Sequence, residues 1–172
     1  IPDGLQWWLD QMGRIIKSGS PSRSAMLSDV DYTPVEPLLK TNWAQDSPYN
    51  GLCPKTGGAW GTSAMTGCVA TAMAQILKYF QYPSSSTGKS YYLFDGSEAR
   101  HNVTLSTTYD WANMANAYTW NYSDAQAKAV QELMRDCGYV SHMIYSAQGS
   151  GANAYDAGAG LSHNMRYDSL AL

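Results

Sequence analysis

The chain has 172 residues, 44% of them apolar, with 11 Lys plus Arg against 14 Asp plus Glu and a formal charge of −3. That is enough chain, and enough apolar matter, for one globular domain with a real core. The cations are scattered with no Lys/Arg-rich stripe, which argues against nucleic acid or an anionic membrane as partner, and no window nears the roughly 18 consecutive apolar residues of a membrane span.

The segment Ile1 to Ser18 places Leu5, Trp8, Leu9, Met12, Ile15 and Ile16 at helical spacing behind Asp3, a plausible cap, and predicts a short amphipathic helix. Ser18 to Asp31 turns to small residues without periodicity and reads as a protease-accessible linker. Prolines at 34, 37 and 48 forbid long regular structure between Thr33 and Asn50, and Gly51 to Gly67 is a Gly- and Pro-containing loop. Cys68 to Phe80 follows, dense in Ala, Met, Leu and Gln with apolar residues on several faces, and predicts a buried helix stopped by Tyr82-Pro83. Tyr91 to Thr108 has the alternation of a short hairpin or irregular loop, and Tyr109 to Trp120 is read as a short helix around Trp111 and Met114. Ser123 to Gln126 is a capping-box signature that opens a helix through Val130, Leu133 and Met134, with Gly138 as its expected C′ residue. Ser146 to Gly160, rich in Gly and Ala, reads as a close-approach loop or tight turn.

Three cysteines are too few for a disulfide scaffold, and an odd number raises the question of a working thiol. Cys68 stands first, at the junction of a glycine-rich loop and a helix, where the free amides of the first helical turn favour a thiolate. A helix N-terminus is worth roughly 0.3–1 kcal/mol to an anion, less than a reactive ion pair needs, so a base, normally His, must provide the rest. A small core residue is the competing reading for Cys68, as for most free cysteines. Gly67, which admits a ligand close to the backbone, and the uncrowded turn at Ala70, Thr71 and Ala72 favour the functional one. Cys137 sits late in an amphipathic helix and reads as core, whereas Cys53 has no identifiable partner. Gln45, in an aromatic and polar loop, is a second candidate, because an amide donates to an oxyanion without moving a proton. The three histidines, His101, His142 and His163, form no metal spacing with each other or with a cysteine, and neither a metal nor a cofactor is expected. The 13 Tyr and 6 Trp suit surfaces that touch peptides or sugars, and the hydroxyl- and amide-rich composition suits a secreted protein whose targeting segment has been removed upstream of Ile1.

The run Pro37 to Asn50 containing Asn42-Trp-Ala-Gln45, then Thr66-Gly-Cys68-Val-Ala-Thr-Ala-Met-Ala-Gln-Ile-Leu-Lys-Tyr79 and Tyr82-Pro83, closely resembles the streptopain family of papain-like cysteine peptidases. The likeness continues through Glu132 to Gly138 and the Tyr145 to Ala152 loop, and covers about Pro34 to Leu172. It implies an α+β, papain-like fold, of which this chain would hold mainly the helical half, with the C-terminal, sheet-rich half absent. It implies that Cys68 is the nucleophile, that Gln45 and the Cys68 amide bind the oxyanion, and that Gly149, Ser150, Gly151 and Ala152 border the substrate. By the same resemblance, residues 1–30 are the end of a propeptide with its maturation linker, and residues 31–172 are an incomplete catalytic domain. The expected protein is a secreted endopeptidase made as a zymogen, with protein or peptide substrates, a preference for a hydrophobic residue two positions before the scissile bond, and its own propeptide as inhibitor. None of the three histidines falls where the family places its base. The chain is therefore expected to be inactive alone unless a second chain carries the missing half. An aromatic-rich binding module and a peptidase homologue that has lost catalysis are the rival readings.

Overall fold

The computed structural model describes Asp10, Arg14, residues 36–56 and residues 62–168. The chain divides into two compact units, Ile1–Pro37 and Leu38–Leu172. Of the first, Asp10 and Arg14 are helical and exposed. The helix expected over Ile1 to Ser18 and the linker expected over Ser18 to Asp31 otherwise lie outside the described residues.

In the second unit the order of elements is α1 (Cys68–Phe80), β1 (Gly88–Phe94), β2 (His101–Leu105), α2 (Asp124–Val140), β3 (Ile144–Tyr145) and α3 (Ala154–Asn164). The α1 boundaries are those the sequence predicts: Gly67 opens it, and Gln81 in the left-handed region closes it just before Tyr82-Pro83. Helix α2 begins at the predicted capping box. The Ser123 hydroxyl accepts from the Gln126 amide at 3.2 Å, while the Gln126 side chain accepts from the Ser123 amide at 2.9 Å. It runs two residues past Gly138, because that glycine is a packing position rather than a C′ residue: a Cβ there would strike the Tyr145 hydroxyl.

The three-stranded sheet has the order β2-β1-β3, with β1 antiparallel to β2 and parallel to β3. The pairing of Gly88 with Leu105 through Tyr92 with His101 is the predicted hairpin, begun three residues earlier than the alternation suggests. Helix α2 packs on both other helices and on β1. Its buried stripe, Val130, Leu133, Met134 and Cys137, meets Leu77 of α1 and Met143, Tyr145 and Met165 in one core. The fully buried Asp136 pins this core. Its carboxylate accepts from Ser86 Oγ at 2.8 Å and from the Tyr109 hydroxyl at 3.1 Å, and pairs with Arg135 at 2.7 Å.

Two expectations are corrected. Tyr109 to Trp120 forms turns rather than a helix, because its polar groups are engaged elsewhere. Asn42 N–H donates to the Asn116 carbonyl, Trp43 Nε1 to the Ala115 carbonyl, and Trp111 Nε1 to the Pro83 carbonyl. The stretch read as loop from Ser146 to Gly160 instead enters α3 at Ala154, capped by Asn153, whose side chain accepts from the Tyr155 amide at 2.8 Å. Its glycines allow a close helix crossing, for a Cβ on Gly160 would run into the Val140 carbonyl. Among the described residues no helix is long and apolar enough to cross a membrane.

Candidate active site

Cys68 is the first residue of α1, and its thiol is exposed. No side chain caps the helix, and no carboxylate occupies the first turn, so the positive end of the helix faces the sulfur unopposed by its own residues. Gly67 precedes it at φ 86° and ψ 144°, a conformation for glycine alone, and its missing side chain is also a matter of space. A Cβ there would lie 2.7 Å from the end of Met143 and 3.1 Å from the Ser150 carbonyl oxygen. The substrate loop expected at residues 149–152 is thus packed against the residue before Cys68.

A chain of hydroxyl groups braces the turn from behind. The buried Thr71 hydroxyl donates to the Gly67 carbonyl at 3.0 Å, which leaves Thr66 Oγ1 as the donor across the 2.8 Å contact between the two threonines. Gln75 extends the link, donating to the Thr71 carbonyl and accepting from Thr41 Oγ1 at 2.9 Å. From the sequence alone Thr71 is only an uncrowded neighbour of Cys68. The Thr66 and Thr71 pair at i, i+5 across a helix start is the signal that would have disclosed the brace.

Gln45 reaches the same place by a different route. Trp43 is buried and edged by Tyr49, whose ring meets Tyr118 at 5.3 Å, and this aromatic group anchors the turn that follows. The Thr66 amide then donates to the Gln45 carbonyl at 3.0 Å, fixing the Gln45 backbone two residues from the nucleophile candidate. The Gln45 side-chain amide is half-buried and makes no hydrogen bond among the described residues, so it is free to donate outward.

Cys68, Gln45 and Gly149 line one depression of about 470 Å³, together with Trp43, Asp46 and Met65. Gly151 and Ala152 lie apart from it, lining an adjacent depression of about 450 Å³ whose apolar wall is Leu93 and Ile144, and Gly149 belongs to both. The loop is held in shape by Ser146: its hydroxyl donates to the Gly149 carbonyl at 2.6 Å and accepts from the Gln148 and Gly149 amides. Gly151 pairs with Ile144 through hydrogen bonds of 2.8 and 3.1 Å. The Ser150 hydroxyl is buried without a partner among the described residues.

The other thiols differ in kind. Cys53 is buried beside the Tyr145 hydroxyl, and burial pushes its thiol up to about 11. Cys137 is fully buried, and burial raises it well above its ordinary value. Both pack in the core. No histidine lines the depression at Cys68. His101 stacks on Tyr92, His142 stacks on Tyr91 with Nδ1 3.5 Å from Asp156, and His163 is exposed in the last turn of α3.

A model of the peptidase C10 family matches residues 43–172. The thiol protease/hemagglutinin PrtT of Porphyromonas gingivalis is 30% identical over 169 residues, a match that covers 88% of this chain and 19% of that protein. Streptopain of Streptococcus pyogenes is 33% identical over 141 residues, covering 74% of this chain and 35% of streptopain. Among solved structures, the active interpain A cysteine protease of Prevotella intermedia shares 43% identity at a TM-score of 0.68, over 77% of this chain and 55% of that one. A prointerpain A fragment from the same organism shares 38% identity at a TM-score of 0.70, over 94% of this chain and 54% of that one. The chain thus spans about half of the interpain A structures and a smaller share of the curated relatives.

Proposed function

The chain belongs to the peptidase C10 family, and from that premise we propose that it is the nucleophile-bearing part of a cysteine endopeptidase. The observation that carries the proposal is the depression where an exposed Cys68, at the uncapped start of α1, meets the unbonded side-chain amide of Gln45. The thiolate of Cys68 attacks a peptide carbonyl, and its sulfur bonds to the carbonyl carbon. The oxygen that becomes anionic is held by the Gln45 side-chain amide, carried on a backbone that the Thr66 link fixes, and by the Cys68 N–H at the helix start. The amine leaves with a proton, and water then releases the acyl group from sulfur. Residues 149–152 border the substrate, and the apolar wall of Leu93 and Ile144 beside Gly149 suits a hydrophobic residue two positions before the scissile bond.

The base comes from a part of the protein that this chain does not span. That reading is supported by the lack of a histidine at the Cys68 depression and by the 55% coverage of active interpain A. The protein is made as a zymogen, with residues 1–30 as the end of its propeptide. In support, the share of this chain that is matched rises from 77% with active interpain A to 94% with the pro-form. It acts outside the cell, in keeping with its composition. The test is hydrolysis of a peptide with a hydrophobic residue two places before the cleaved bond, by the full-length protein and its Cys68→Ala variant. Turnover lost with Cys68 supports the proposal; turnover that survives the substitution, or none by the mature full-length protein, favours a binding module or an inactive homologue. The 172 residues alone are expected to show no turnover.

A further inference from the structure

Among the described residues, the depression at Cys68 is walled by neutral side chains with one exception: Asp46, exposed and next to Gln45, is the only charged one that lines it. No cation among the described residues pairs with it; the ion pairs there are Lys128 with Glu132, Arg135 with Asp136 and His142 with Asp156. Its backbone is tied on both sides. The Asp46 carbonyl accepts from the Asn50 amide at 3.2 Å, and the preceding Gln45 is tied to Thr66. A charge in the lining of a cleft that also holds buried Trp43 sets the potential that an incoming group meets.

We propose that Asp46 is a specificity-determining residue: it makes the site select substrates with a cationic side chain flanking the scissile bond and reject those with an anionic one. The proposal rests on the peptidase reading for its biological sense, but its physical content is a negative potential at the Cys68 sulfur and is read without turnover. One unit charge acting across a partly solvated cleft changes the relative rates of oppositely charged partners by about threefold to tenfold at low salt. Its sign is opposite to that of the helix end: the helix amides favour an anion at the oxyanion position, whereas Asp46 favours cationic groups entering the same depression.

The test measures the rates at which Cys68 in the 172-residue chain reacts with three methanethiosulfonates: trimethylammonium-ethyl (cationic), sulfonatoethyl (anionic) and methyl (neutral). The neutral reagent sets the thiol's own reactivity in each variant, so only the cation-to-anion ratio is compared. Asp46→Asn is expected to lower that ratio about threefold to tenfold in low salt, with Asp46→Glu restoring it. In about 1 M salt, where the screening length is about 3 Å, wild type and variant are expected to converge. A ratio unchanged within twofold by Asp46→Asn, or a difference that persists in high salt, overturns the proposal. Failure of the peptidase reading is seen separately, as absent turnover by the full-length protein whatever the ratio here.

Discussion

Gly67→Ala is the substitution that asks most of the geometry around Cys68. Two costs are built into the position. A residue with a Cβ at φ 86° and ψ 144° is in a region held almost solely by glycine, at a cost of about 1–3 kcal/mol. The new methyl would also lie 2.7 Å from the end of Met143 and 3.1 Å from the Ser150 carbonyl. Met143 is flexible by type but fully buried, so it yields only by disturbing its neighbours, which adds about 1–3 kcal/mol. The expected loss is therefore about 2–6 kcal/mol, read by urea unfolding, or a fall in Tm of about 4–24 °C. A cycle separates the parts: in a Met143→Ala background the cost of the Met143 contact should vanish, while the costs of the backbone conformation and of the Ser150 carbonyl remain. If Gly67→Ala stays within about 0.5 kcal/mol of wild type, the glycine is not required and the described loop-to-helix junction is wrong. If the loss is the same in both backgrounds, the contact with Met143 carries none of it.

Three further outcomes follow from other parts of the molecule. Gly160→Ala replaces a poor helix former by the best one, worth about 1 kcal/mol in its favour, yet it should destabilise by at least about 2 kcal/mol because the Val140 carbonyl occupies the space; equilibrium unfolding gives the sign. Burial pushes the Cys53 thiol from 9.0 up to about 11, so its contribution is intact below pH 9 and lost as pH rises through 11, where the unfolded chain ionises first. Unfolding free energy should fall by about 2 kcal/mol over that interval, and Cys53→Ala should flatten this part of the curve. Gln45→Ala in the full-length protein should lower kcat by about 10²–10³ while leaving the alkylation of Cys68 by a neutral reagent within a few-fold of wild type, measured by steady-state kinetics and by peptide mapping.

What the sequence disclosed and what it hid divide along the range of the interactions involved. Helices α1 and α2 were legible because their determinants are local: Gly67 and the apolar run after Cys68 in one case, the Ser123 and Gln126 box in the other. Helix α3 was not, because its glycines and alanines argue for a loop when taken alone; only the Val140 carbonyl against Gly160 explains why small residues are needed there. The Asn153 cap was the overlooked local sign. The extension of α2 past Gly138 has the same origin, since the fit of Tyr145 against that glycine is set by a residue seven positions on. Tyr109 to Trp120 misled in the opposite sense, its helical spacing overruled by hydrogen bonds to Asn42, Trp43 and Pro83. At the site, Cys68 stood out by its own neighbours. Gln45 was picked out by its place in a motif, and the Thr66 amide that holds it lies 21 residues along the chain.

The central claim, that Cys68 is an activated nucleophile completed by a base outside this chain, is tested most directly by brief iodoacetamide treatment at mildly acid pH followed by peptide mapping. The 172-residue chain and the mature full-length protein are treated side by side. The account predicts rapid labelling of Cys68 in the full-length protein, slow labelling of Cys68 in the shorter chain, and protection of buried Cys53 and Cys137 in both. Equal or absent labelling of Cys68 in the two proteins would contradict it.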